Sequence, residues 1–272
     1  MFFREGKVKD GDHFVFADAW HPGILQLKYM LELLQIKGTI HALWHAGSYD
    51  KHDFLGRLIG DKPWVRHTEL ALFDAIDKNY FASQFHISMF AQVMFPDPEN
   101  GDYLQSKIVR SGWPMEYLPE HITPYKEKQK TIVFPHRNAP EKQLRIFEDL
   151  SVELPEYDWI NCNDYKLTKK EYNELLETSM MVFSANLQET LGISCFEILC
   201  AGGVPLVPNR LSYVEMYDDM FKYPSSLTAD WDSYIQNKDM LIGKIRTLME
   251  NFYSHEVQSA IKDNKQKLLE QY

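Results

Sequence analysis

Cysteine is scarce: only Cys162, Cys195 and Cys200 occur in 272 residues, and no two of them have the spacing of a metal site. A disulfide framework and a zinc ribbon are therefore both disfavoured. Cys195 and Cys200 fall in or beside an apolar helical stretch and read as small core residues of a reducing compartment. No run of 18 apolar residues and no cleavable leader pattern is found, so a soluble, cytoplasmic protein is the expectation. An aromatic content of 14% leaves room for an enzyme that sits on a membrane surface. Positive charge is also in deficit. With 29 Lys and Arg against 39 Asp and Glu, the net charge of -10 gives no general attraction to phosphate backbones, although a local basic cleft is compatible with it. The glycine-rich fingerprint of a dinucleotide oxidoreductase, with an acid about twenty residues on, is missing. So is an Asp-x-Asp pair after a predicted strand, and no metal is expected.

The stretch from Met180 to Pro208 organises what is present. Residues 180–183 form a short apolar run, read as a buried strand. A polar loop with Glu189 and Gly192 follows, then a helix stopped at Gly202-Gly203, then a second strand over 204–207. A strand, a glycine-bearing loop and a helix N-terminus place unpaired amides at the carboxyl edge of a parallel sheet, where open α/β folds hold anions. Ser194-x-x-Glu197 has a competing reading as a capping box, in which each side chain satisfies the other's backbone amide. Upstream, Arg137 and Lys142 straddle another helix entry after the apolar run 131–134. Helix starts favour acids, so a basic pair there points to a diphosphate.

The two glutamates eight positions apart, Gly192 between them and Ala201-Gly-Gly-Val-Pro-Leu-Val-Pro208 after them resemble the donor-site motif of retaining GT-B glycosyltransferases. That large family, the glycosyl transferase group 1 type, includes sucrose, glycogen and lipopolysaccharide glycosyl transferases. The resemblance implies two Rossmann-like domains facing across a cleft and transfer of a sugar from a nucleoside diphosphate sugar, with no cofactor beyond that donor. It implies that Glu189 lies against the donor sugar, that the backbone of Gly192, Ile193 and Ser194 meets the diphosphate, and that Glu197 holds the ribose hydroxyls. Arg137 and Lys142 would grip the donor phosphates; Gln143 stands where the family has a glycine. His45, in a His-Ala-Gly loop after a strand, is similar to the N-domain histidine that contacts the donor sugar and is preferred over His21. With Glu189 it forms the expected catalytic pair. The serine turn at Ser83 and the strand with its glycine turn over 107–114 also resemble N-domain elements.

One feature departs from that pattern. Only some ten residues precede the strand over 13–20, where the family has a strand, a glycine-rich loop, a helix and further strands. An incomplete first domain is expected. The boundaries read as 1–118 for a partial N-terminal acceptor domain, 119–130 for a linker, 131–250 for the donor domain, and 251–272 for a helix returning toward the first domain. Further helices are predicted over 23–34, closed by Gly38, and over 68–76, 84–93 and 168–178. Strands are predicted over 39–44, 79–83 and 158–162, with a plain loop over 95–101. Asn163 and Tyr165 read as packing residues.

Trp44, Tyr49 and His52, with Phe54, form the expected acceptor surface, because aromatic rings and histidines can stack on a sugar or an extruded base. A saccharide acceptor is the first expectation. A modified base or nucleoside in DNA or tRNA is the alternative, on the cations Lys51, Arg57, Lys62 and Arg66 and on a likeness of Asn209-Arg-Leu-Ser-Tyr-Val-Glu215 to enzymes that glycosylate a tRNA nucleoside. A non-catalytic nucleotide-binding protein of the same fold is the third reading. It would keep Arg137, Lys142 and Glu197 and tolerate loss of Glu189 and His45.

Overall fold

A computed structural model describes residues 3–60, 62–123 and 127–271, and the chain divides into two units, 1–112 and 113–272. In the first unit β1 (His13–Phe16), α1 (Gly23–Leu33), β2 (Thr39–Trp44), α2 (Phe54–Leu58), α3 (Pro63–Ala75), β3 (Lys78–Phe81), α4 (Gln84–Met94), α5 (Gly101–Lys107) and β4 (Ile108–Arg110) follow one another. The four strands are parallel and lie in chain order, β1-β2-β3-β4. Right-handed crossovers between strands in that order put every connecting helix on one face. On that face Ile40, Ala42 and Trp44 of β2 are buried, while Thr39, His41 and Leu43 on the other are only half-buried. The expectation of a buried first strand is corrected for the same reason: β1 is an edge strand, and Val15 is 80% exposed.

Local chemistry accounts for most boundaries. Ser83 caps α4 as expected, accepting from the His86 amide at 3.2 Å. The α3 helix begins five residues before the predicted start because Pro63 occupies its first turn, where a missing N–H costs nothing. The α1 helix ends at Leu33 without using Gly38; Gln35 takes the left-handed turn, at φ 55°. Part of the stretch read as a plain loop is the start of α5, which opens on a glycine and carries no predictive capping signal.

The second unit contains α6 (Leu118–His121), β5 (Gln129–Phe134), α7 (Leu144–Glu153), β6 (Asp158–Asn161), α8 (Lys169–Thr178), β7 (Ser179–Phe183), α9 (Ile193–Cys200), β8 (Val204–Pro208), α10 (Tyr213–Met216), β9 (Lys222–Tyr223), α11 (Trp231–Glu250) and α12 (His255–Gln271). Its parallel sheet runs β6-β5-β7-β8-β9. Every residue of β7 and β8 is buried, which explains the apolar runs 180–183 and 204–208; Ser179, which opens β7, donates its hydroxyl to the Leu175 carbonyl at 2.6 Å. The strand order reverses between β5 and β7, and such a switch point opens a crevice at the carboxyl ends of the two strands. The residues read as linker are partly built into this unit: Ile122 and Lys128 are buried, residues 124–126 lie outside those described, and Gln129 already belongs to β5. The terminal helix α12 packs on α9. Both units are Rossmann-like α/β bodies, the architecture expected of a GT-B chain.

Candidate functional site

The loops after β5 and β7 meet at the switch point, and they carry the residues that the sequence pattern singled out. After β5, Arg137 donates to Glu141 Oε1 at 2.8 Å while its own side chain remains 58% exposed. Lys142 is buried, with Nζ donating to the Gln188 carbonyl at 2.6 Å and to Glu189 Oε2 at 3.2 Å. Asn186 Nδ2 donates to the same carboxylate oxygen at 3.4 Å. The amide of Leu187 donates to the Glu141 carbonyl at 2.7 Å, tying the two loops together. Glu189 is thus held between a buried ammonium and an amide, with its side chain still 20% exposed.

Gln143 resolves the question raised by the missing glycine. It adopts the left-handed conformation, φ 52° and ψ 45°, that a glycine takes without strain. Its side chain stabilises the conformation, since Nε2 donates to the carbonyls of Ala185 at 2.6 Å and Thr228 at 2.8 Å. Arg210 clamps the same segment from below, donating to the carbonyls of Asn186 at 2.7 Å, Ala185 at 2.8 Å, Ser225 at 3.0 Å and Thr228 at 3.1 Å. Neither role was legible beforehand, because both consist of contacts to backbone at least 15 residues away. The likeness around Asn209 to Glu215 pointed to Arg210's neighbourhood, but its task there is to hold the loop before Glu189.

Gly192 caps α9 at φ +83°, and a Cβ there would lie 2.7 Å from the Tyr213 ring. The helix starts immediately after it. Ile193 and Ser194 occupy the first turn, whose amides have no partner within the helix, and no side chain caps them. The capping-box reading of Ser194 and Glu197 is overturned. Glu197 instead accepts from Tyr172 Oη at 2.7 Å and from Lys169 Nζ at 2.5 Å, both on α8, and a capping box forms at Thr168 and Glu171. Burial, then Glu197, pushes the Tyr172 hydroxyl well above its ordinary pKa, so it stays a donor. Behind the loop, His136 is buried with its Nε2 unpartnered, and burial reinforced by Lys142 lowers its pKa to about 3. Asn163 donates to the His136 carbonyl at 2.5 Å and is a structural residue, as read; Tyr165, four residues beyond the end of β6, is 56% exposed and is not packed.

In the first unit His45 is exposed after β2, with Nε2–H donating to the Ala17 carbonyl at 2.7 Å. His21 accepts from the Gly23 amide at 3.1 Å and shapes a turn. The expectation for Trp44 and Tyr49 is corrected. Trp44 is 1% exposed, stacks on Phe81 and donates to Asn79 Oδ1 at 2.8 Å; Tyr49 is 6% exposed and hydrogen-bonds His86 Nε2 at 2.7 Å. Both rings fill the core under the loop and offer no face to a ligand. His52 stays half-buried beside them, its amide donating to Asp50 Oδ1 at 2.9 Å. The loop is pinned from beneath by Glu69, which accepts from the Ser48 amide at 2.7 Å, Ser48 Oγ at 2.6 Å and Trp20 Nε1 at 3.2 Å. Burial raises the pKa of Glu69, and these donors partly offset it. Among the described residues no group of three or more His, Cys, Asp or Glu is arranged to hold a metal ion.

No protein-family model matches the chain, and no curated protein matches it. Solved structures do. The pneumococcal O-GlcNAc transferase GtfA, in complex with UDP and GlcNAc, is similar at a TM-score of 0.63 and 14% identity, over 99% of this chain and 57% of that one. Anabaena Alr3699/HepE in complex with UDP is similar at a TM-score of 0.60 and 11% identity, over 96% and 74%. The catalytic domain of Starch Synthase IV from Arabidopsis thaliana, bound to ADP and acarbose, matches at 0.60 and 9%, over 99% and 75%. The chain therefore spans little more than half of the GtfA chain it matches, and what it shares with these glycosyltransferases is a GT-B-like fold.

Proposed function

We propose that the chain acts in retaining transfer of a sugar from a nucleoside diphosphate sugar to a hydroxyl acceptor. The observation that carries this reading is the gathering of Arg137, Lys142, Glu189, the first-turn amides of α9 and Glu197 around one sheet switch point. Three of the similar structures have UDP or ADP bound, which supports the same donor class.

Each residue has a role that follows from its surroundings. The departing diphosphate gathers negative charge as the glycosidic bond breaks. The Arg137 guanidinium, the Lys142 ammonium and the amides of Ile193 and Ser194 stabilise it from positions fixed before reaction. Glu197 accepts from the ribose hydroxyls, and its carboxylate is already oriented by Lys169 and Tyr172. Glu189 accepts from hydroxyls of the donor sugar. Lys142 and Asn186 already engage its carboxylate, so a positioning task suits it better than a nucleophile's. A saccharide acceptor remains the preferred class, with His52 and Phe54 the expected acceptor contacts not taken into the core.

Titration with UDP, ADP, GDP and NAD is the first test, followed by a labelled-donor panel against oligosaccharides, glycolipids, tRNA and hydroxymethylated DNA. Binding of a nucleoside diphosphate with label entering a saccharide is expected. Binding of NAD alone would overturn the donor assignment, and nucleotide binding without any transfer would favour the non-catalytic reading.

A further inference from the structure

The segment leaving the His45 loop includes Phe54, part of the expected acceptor surface, and beyond it presents exposed apolar side chains to which the sugar-transfer reading gives no role. Phe54 and Leu58, one turn apart on α2, are 56% and 65% exposed, and Trp64 at the start of α3 is 55% exposed. Scattered exposed apolar residues are ordinary, but three large ones within eleven residues are not scattered. The chain between them is compact: the amides of Ile59 and Gly60 both donate to the Leu55 carbonyl, at 3.0 and 3.1 Å, and the Lys62 amide donates to the Gly60 carbonyl at 2.9 Å. Exposed Lys51, Arg57 and Lys62 are interleaved with the apolar side chains. Of residues 51–67 four are basic and two acidic, in a chain whose acids outnumber its bases by ten. One of those acids, Asp53, is spent on the α2 cap, accepting from the Leu55 amide at 2.9 Å.

We infer that this segment docks the protein on an anionic lipid surface. The pairing of chemistries selects that occupant. Aromatic and aliphatic side chains enter the boundary between headgroups and acyl chains, and lysines and arginines extend along it to meet anionic headgroups. A second copy of the same patch would set Lys51, Arg57 and Lys62 against themselves. A nucleic acid would stack on Trp64 and Phe54 yet leave Leu58 in water. Among the described residues no helix is long and apolar enough to cross a membrane, so docking here is peripheral. It is independent of the sugar-transfer reading.

Flotation with vesicles of phosphatidylcholine alone, and of phosphatidylcholine mixed with phosphatidylglycerol, tests the inference. Wild type should float with the mixed vesicles, less so at high salt, and not with the neutral ones. Phe54→Ser, Leu58→Ser and Trp64→Ser combined should weaken the mixed-vesicle affinity by at least about tenfold, as should Lys51→Glu with Lys62→Glu. All five positions are solvent-facing, and thermal melts of the variants should match wild type. Trp64 emission should shift to the blue on mixed vesicles and lose that response in Trp64→Ser. The inference fails if wild type does not float, or if both variants float as well as wild type. It also fails if the patch variants instead lose single-stranded RNA binding or concentration-dependent self-association.

Discussion

Arg137 and Lys142 sit five positions apart on one loop, yet their environments differ and so should the effects of removing them. The Arg137 side chain is largely exposed, so its proposed contact with a phosphate would be screened by water; Lys142 is buried against Gln188 and Glu189. Calorimetric titration should find nucleoside diphosphate binding weakened by about 1 kcal/mol in Arg137→Ala and by about 2–3 kcal/mol in Lys142→Ala. Equal, unchanged affinity in both would remove the phosphate assignment. The two glutamates divide in another way. Glu197 does not cap α9, so Glu197→Gln should leave the helix start intact while weakening nucleotide binding. Glu189→Gln should mainly lower kcat, because its proposed task is to hold the donor sugar and not the nucleotide. Donor titration and turnover measured on the same samples distinguish these from a shared loss of fold.

At the scale of an element, the site depends on how a loop enters a helix. Gly192 must take a positive φ, and its missing Cβ leaves room for the Tyr213 ring, whose hydroxyl receives the Asn186 amide at 3.0 Å and lies 3.1 Å from Ser184 Oγ. Gly192→Ala adds a left-handed strain of about 1–2 kcal/mol and also pushes on that ring. We expect a lower melting temperature together with loss of nucleoside diphosphate affinity, since the amides of Ile193 and Ser194 turn with the loop. A variant that melts earlier but binds normally would show that these amides are not the anion contact. The same element illustrates what sequence reading misses. Ser194 and Glu197 have the spacing of a capping box, but the helix begins at Ile193, and α8 brings Lys169 and Tyr172 to Glu197. Local spacing encodes both options, and only the neighbour helix selects between them.

For the whole molecule, each unit buries a histidine in its neutral form. His86 in the first and His136 in the second have their pKa lowered to about 3, chiefly by burial. Between about pH 6.5 and pH 3 the unfolded chain holds more protons at these sites, so stability falls as the pH falls. At pH 5 the loss reaches about 2 kcal/mol for each histidine. Glu69 acts in the opposite sense, its raised pKa eroding stability as the pH climbs above the ordinary carboxylate range. Urea denaturation between pH 7 and pH 5 should show the acid loss, and His86→Gln should flatten it for the first unit alone. An unchanged slope in that variant would mean that His86 is not the titrating group.

Much of this protein was determined by its sequence alone. The apolar runs 180–183 and 204–207, the strand over 39–44 and the loop glycine at 192 act through neighbours in the chain, so the two α/β units could be read directly. The tertiary structure decided what depends on distant partners. Trp44 and Tyr49 are aromatic residues beside a ligand-type loop, and only the packing of Phe81, His86 and Phe90 places them in the core. Gln143 takes a glycine's conformation because carbonyls 42 and 85 residues away accept its amide, and Arg210 becomes a clamp for the same reason. Periodicity and capping are short-range forces written into adjacent residues; burial and long-range hydrogen bonds exist only once the sheet order has brought separate loops together.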